Sequence, residues 1–207
     1  MRAQVIVLAG PSGSGKSRLA RRLGLPVLHL DDFYRDGNDP ALPRLDIGVV
    51  DWDDPASWLR AEALAAVERL CHHGSVDAPV YDIAHDGRVG HRLLELAGAP
   101  YFVAEGIFAH EIVPQCRELG LLAEAICVRH HPLVTFWRRL TRDLAEHRKP
   151  PLVLLRRGLL LLRAEPEVVA RAVAHGCRPM RPEQAWRRLR TLLTRSPAPA
   201  PTPDSRP

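Results

Sequence analysis

Short apolar runs punctuate this chain, separated by longer stretches with helical spacing or none. Val5-Ile6-Val7-Leu8-Ala9, Pro26-Val27-Leu28-His29-Leu30, Pro100-Tyr101-Phe102-Val103-Ala104 and Ala125-Ile126-Cys127-Val128 show little polar alternation. That is the pattern of strands buried on both faces. Pro55 to His72 has helical periodicity, with Asp53 or Asp54 as its N-cap and Pro55 in its first turn. Pro79 to Ile83, the turn His85-Asp86-Gly87 and Arg88 to Leu96 predict a small hairpin within about 76–96. His131 to His147 reads as an arginine-rich helix, and the segment of about 131–150 is a candidate lid. Pro150-Pro151 breaks that helix, and helical segments are expected to continue to about Leu193. The tail Ser196–Pro207 is proline-rich and reads as disordered. Strands alternating with helices predict an α/β fold, a parallel sheet flanked by helices, as one domain over residues 1–195.

The first strand runs directly into Gly10-Pro11-Ser12-Gly13-Ser14-Gly15-Lys16-Ser17, the GxxxxGK[ST] pattern of a phosphate-binding loop. Its glycines let the backbone curl so that successive N–H groups point at phosphate oxygens. Lys16 reaches the β- and γ-phosphates and the Ser17 hydroxyl can ligate Mg²⁺. Gly10, Ser12, Gly13, Ser14, Gly15, Lys16 and Ser17 are thus the expected ATP site.

Composition sharpens this reading. The chain has 27 arginines and two lysines, Lys16 and Lys149, so a lysine marks a place where a compact point charge is wanted. The four cysteines are scattered without a CxxC pair, which predicts reduced thiols and a cytoplasmic protein. The phosphate loop begins too early to leave room for a secretory signal before it. The most apolar later stretch, Leu152 to Leu162, is interrupted by Arg156-Arg157-Gly158 and is too short to span a bilayer. The net charge of +5 is uneven. Residues 1–128 carry 12 basic and 18 acidic side chains, and residues 129–195 carry 16 and 5. With 5% aromatic residues and no recognition helix, the basic region points to small-molecule phosphate and not to nucleic acid.

A phosphoryl transferase needs a metal, a positioned acceptor and cations on the transferring group. In a parallel sheet such groups gather at the carboxyl ends of the strands. Asp31 ends the second run and could take the proton of a substrate hydroxyl near Mg²⁺; Asp32 beside it suits a turn or cap. Glu105 follows the third run, where a second metal-side carboxylate belongs. Arg138, Arg139, Arg142 and Lys149 lie on the candidate lid.

Six segments in order make the chain resemble the uridine kinase-like nucleoside kinases, relatives of phosphoribulokinases. They are residues 10–17, Asp31-Asp32-Phe33-Tyr34, Trp52-Asp53-Asp54-Pro55, Val80-Tyr81-Asp82, Glu105-Gly106-Ile107, and Arg138-Arg139-Leu140-Thr141-Arg142-Asp143. The resemblance implies Asp31 as base and metal-side acid, with Ser17 and Glu105 sharing the Mg²⁺ sphere. It places Tyr34, Asp53, Tyr81 and His85 around the acceptor, Arg138 on ATP, and Arg139, Arg142 and Lys149 on substrate and phosphate, with Arg142 also catalytic. Where the family has a histidine five positions after the hairpin tyrosine, this chain has Asp86, with His85 one residue early. Two further family arginines are replaced by His147 and Lys149. The resemblance implies transfer from ATP to a primary hydroxyl, foremost the 5′-OH of uridine or cytidine. A sugar or vitamin-precursor acceptor is one alternative. A regulatory or nucleic-acid-associated ATPase is another, although no NKxD motif or nucleic-acid module is present. The tetrameric habit of some relatives leaves a homo-oligomer open.

Overall fold

The computed structural model describes residues 2–46, 48–130 and 165–195. Five parallel strands form the main sheet: β1 (Gln4–Ala9), β2 (Val27–His29), β5 (Tyr101–Glu105), β6 (Leu122–Val128) and β7 (Arg178–Met180). Their order is β2-β5-β1-β6-β7. The strand that delivers the phosphate loop is therefore central, and the chain leaves it in one direction for β2 and returns on its other side at β6. A crevice at the carboxyl ends of the strands follows from such a reversal.

β1 is buried because helices cover both of its faces. Val5, Val7 and Ala9 point into one apolar cluster with α2 (Arg60–His73), α3 (Val113–Glu118) and Ala172 of α4 (described over 165–174). Ile6 and Leu8 point into the other, against Leu19 and Ala20 of α1 (Lys16–Leu23) and Ala185 and Leu189 of α5 (Pro182–Arg195). This is the period-2 alternation of a strand read out as two cores. Among the described residues, no helix is long and apolar enough to cross a membrane.

The second, smaller sheet is an antiparallel hairpin of β3 (Ser75–Asp82) and β4 (Gly87–Glu95). It packs against the 3₁₀ turn Leu30–Phe33 that follows β2. All four cysteines are free and buried, and burial lifts the thiols of Cys71 and Cys127 to about 11 and those of Cys116 and Cys177 to about 12.

Three expectations need correction. The second run ends its strand at His29, and Leu30 already belongs to the 3₁₀ turn. The helix expected from Pro55 begins only at Arg60. Asp54 does cap, accepting from the Ala56 amide, but it caps the short 3₁₀ turn Pro55–Ser57. Trp58 then straightens the chain, because its indole is buried and donates to the Leu30 carbonyl at 2.7 Å while its backbone bridges Tyr34. Finally, the stretch read as helical up to Leu193 contains β7. It is an edge strand, where Pro179 costs no ladder bond on the open side.

Candidate active site

The phosphate loop crosses the end of β1 against β6. Gly10 has φ 131°, and a Cβ there would lie 2.3 Å from the Val128 carbonyl oxygen, so only glycine fits. Lys16, the first residue of α1, is buried and folds back across the loop, its Nζ donating to the Gly10 and Pro11 carbonyls at 2.8 and 3.2 Å. Ser14 is fully buried, and its hydroxyl has no hydrogen-bond partner among the described residues. An ammonium, an unsatisfied hydroxyl and amides at a helix start form a donor set that fits the phosphates of a nucleotide.

Three side chains, Ser17, Glu105 and His29, meet beside this loop. The Ser17 hydroxyl donates to Glu105 Oε1 at 2.8 Å, and His29 Nδ1 lies 3.1 Å from the same oxygen. His29 and Glu105 are paired across β2 and β5 at the last residue of each strand, so sheet register creates the contact. Burial alone would raise the Glu105 carboxyl. The His29 hydrogen bond, Lys16 and Ser17 outweigh it, and Glu105 lies below its ordinary value. The same hydrogen bond lifts His29 above its own.

Asp31 is the second residue of the turn Leu30–Phe33 and accepts the Ile107 amide on Oδ1 at 2.9 Å. Its side chain is open to solvent on one side and hemmed in by protein on the others. That desolvation raises its carboxyl, against the opposing pull of Lys16 and the Ile107 amide. Gly106 passes so close that a Cβ would sit 2.7 Å from Asp31 Oδ1. Hydroxyl and carboxylate oxygens from Ser17, Asp31 and Glu105 suit Mg²⁺, a hard ion that prefers oxygen ligands.

A cluster of aromatic rings packs around Tyr34, just beyond the turn that bears Asp31. Tyr34 is 5.8 Å from Trp52 and 5.9 Å from both Tyr81 and Phe108, centroid to centroid. Asp32 is the turn acid expected of it, and its Oδ1 accepts the Tyr81 amide at 3.3 Å, tying β3 to the turn that bears Asp31. Tyr81 has a buried hydroxyl without a hydrogen-bond partner among the described residues, and burial pushes its pKa to about 12. Asp53 is exposed next to Trp52, its amide held by the Asp51 carboxylate.

His85 stands apart from the rings, on the β3–β4 turn, with a mostly exposed side chain whose Nδ1 is 2.6 Å from Asp82 Oδ2. It lines an open depression of about 430 Å³ with Asp36, Asn38, Asp86 and Arg88. Asp36 accepts the Arg88 amide there, and the Gly37 amide donates to the Asp86 carbonyl. Arg138, Arg139, Arg142 and Lys149, and with them the expected lid, lie outside the described residues.

His29, Asp36, Trp52 and the Ile107 amide are site groups that sequence reasoning missed. For His29 a signal existed: it is a polar residue within a buried apolar run, at the carboxyl end of its strand.

No protein-family model matches the chain. It is 29% identical over 147 residues to a uridine kinase of Saccharomyces cerevisiae, which covers 68% of this chain and 29% of that protein. It is also 29% identical over 112 residues to inorganic pyrophosphatase TTM1 of Arabidopsis thaliana, covering 51% of this chain and 16% of that one. The chain thus spans less than a third of the length of these curated relatives. Among solved structures, a candidate fructose transport system kinase from Silicibacter sp. TM1040 superposes with a TM-score of 0.63 at 22% identity, over 82% of this chain and 85% of that one. That likeness is one of fold. In sequence the chain is similar to uridine kinase-like enzymes, and its mostly parallel sheet flanked by helices is a P-loop kinase fold.

Proposed function

We propose that this chain transfers phosphate from MgATP to a primary hydroxyl of a small molecule, foremost the 5′-OH of uridine or cytidine. The observation that carries this reading is the Ser17–Glu105 contact beside the Lys16 loop, with Asp31 near enough to interact with both Lys16 and Glu105 and tied through neighbouring Asp32 to the aromatic cluster at Tyr81. In this reading the loop amides, Ser14 and Lys16 hold the triphosphate. Ser17, Glu105 and Asp31 hold Mg²⁺, which neutralises charge on the phosphoryl oxygens when bound. Asp31 orients the acceptor hydroxyl and accepts its proton, the part a carboxylate within hydrogen-bond reach of that hydroxyl can play. Tyr34, Trp52 and Tyr81 stack on or edge the acceptor, and Asp53 accepts from its hydroxyls. Arg138, Arg139, Arg142 and Lys149 are proposed to close over the phosphates.

A sugar or vitamin-alcohol acceptor is favoured by one observation, the withdrawal of His85 to the exposed hairpin turn, paired with Asp82. The deciding experiment is ADP release with MgATP across nucleosides, sugars and vitamin alcohols, with Lys16→Ala as blank. Turnover on uridine or cytidine supports the first reading. Turnover only on other alcohols transfers it to a re-specified pocket. Phosphate release independent of any acceptor, or activity that survives Lys16→Ala, refutes the kinase reading.

A further inference from the structure

Behind the loop that holds Asp31, two histidines and a glutamate converge from distant parts of the chain. His110 and Glu111 lie on the 3₁₀ turn Ala109–Ile112, and His175 follows α4. His110 Nε2 is 3.3 Å from Glu111 Oε1, and His175 Nε2 is 3.7 Å from Glu111 Oε2. The three donor atoms all lie within 4.8 Å of one another. We propose that His110, Glu111 and His175 form a second metal site, built for a zinc-class divalent transition ion and not for Mg²⁺.

Three observations support the assignment. First, His110 is only 3% exposed, and apart from the approach of Nε2 to Glu111 and a weak backbone contact at Ile107 its ring nitrogens make no hydrogen bond of good geometry among the described residues. A buried imidazole left so is costly, and a metal bond removes the cost. Second, His175 Nδ1 donates to the Arg171 carbonyl at 2.9 Å. In the neutral ring that bond sets the proton on Nδ1 and leaves Nε2, the atom facing Glu111, as the nitrogen that can bind a metal; it is the outer-shell arrangement typical of metal-binding histidines. Third, four-coordinate zinc with Zn–N of about 2.0–2.1 Å separates its donors by about 3.3 Å. The His110 contact to Glu111 Oε1 is already at that edge length, and the His175 contact, 3.7 Å to the other oxygen, would close by a rotation of the Glu111 carboxylate.

The charged neighbours narrow the choice of ion. Arg60 Nη1 is 3.9 Å from Glu111 Oε2, and Arg171 lies near enough to disfavour a charge on His110. A hard ion held mainly by charge would be repelled, whereas two imidazole nitrogens favour zinc, cobalt or nickel. The site shares no residue with the Ser17–Glu105–Asp31 group. It would clamp the segment after Ile107, whose amide holds Asp31, to α4.

The test is a titration of the tag-free, metal-stripped full chain with Co²⁺ in excess Mg²⁺. One equivalent should develop the intense visible bands of four-coordinate Co²⁺, and one equivalent of Zn²⁺ should remove them. His175→Ala alters a side chain that is 30% exposed and should keep the fold, checked by its melting curve. It should lose the bands and weaken Zn²⁺ binding by about 10²-fold or more. Glu111→Gln should lose them too, while Glu105→Gln should keep them. Absence of one-equivalent binding overturns the proposal. Bands that survive both His110→Gln and His175→Ala, or that depend on Glu105 instead, overturn it as well.

Discussion

Replacing Gly106 by alanine tests whether Asp31 is held where chemistry needs it. The new Cβ would stand 2.7 Å from Asp31 Oδ1, 3.0 Å from Leu30 Cβ and 3.3 Å from the Asp31 amide nitrogen. Carbon–oxygen contacts are comfortable from about 3.3 Å, so the carboxylate must retreat by about 0.6 Å. Oδ1 is bonded to the Ile107 amide at 2.9 Å, and a retreat of that size takes the bond to its geometric limit. Losing a hydrogen bond to a charged group costs about 1.5–3 kcal/mol. At about 2–4 °C per kcal/mol for a chain of this size, the melting temperature should fall by about 3–12 °C. Misplacing a reacting group on this scale should lower kcat by up to about 10²-fold. ATP affinity should hold, because the phosphate loop is untouched.

A double-mutant cycle makes the test specific. In an Asp31→Ala background the oxygen is gone, so Gly106→Ala should cost at least about 1 kcal/mol less than in the wild type. Losses that simply add would show that Oδ1 is not what the methyl meets. Wild-type turnover in Gly106→Ala would refute the positioning of Asp31 altogether.

Asp31→Asn should lower kcat by about 10²-fold or more with ATP still bound, and near-normal turnover would remove Asp31 as the base. The pH dependence of stability follows from the His29–Glu105 pair. Glu105 is lowered in the fold, so its contribution is complete above an unfolded value of about 4.3 and lost as pH falls through the folded one. His29 is raised, so its contribution is complete below about 6.5 and lost as pH rises through the folded value. Melting of the metal-free protein in chelator should therefore show a stability maximum between those limits, flattened on both sides in Glu105→Gln; superimposable profiles would count against the pair. Trp58→Phe strands the Leu30 carbonyl and should cost about 1–3 kcal/mol in urea denaturation. A loss below about 0.5 kcal/mol would mean that water replaces the indole.

What the sequence disclosed depended on how local each requirement is. The phosphate loop is written in its own glycines and lysine, because backbone curvature and a point charge are demands of consecutive residues. Asp31 and Glu105 were legible as acids that end buried runs. The start of α2 was not: Asp54 and Pro55 are a true cap signal, but Trp58 is claimed by Leu30 and Tyr34 from another part of the chain. β7 has little pattern of its own, since its three residues are a strand only beside β6. His29 acquires its meaning from register with Glu105, and His110 meets His175 only after the sheet is assembled. Contacts made by pairing and packing are not written at either partner alone.

The buried thiols give the molecule built-in clocks. With pKa values of about 11–12, each of the four is almost wholly un-ionised near neutral pH and shielded from reagents. With reagent dilute enough that reclosing outpaces labelling, alkylation of the native protein proceeds in proportion to the fraction of time each locale is open. Cys71 times α2, Cys116 times α3, Cys127 the strand beside the phosphate loop, and Cys177 the approach to the sheet edge. Labelling rates divided by those of a free thiol give four local opening equilibria from one untagged sample. A nucleotide that grips the loop should slow the Cys127 clock before it touches the one at Cys71.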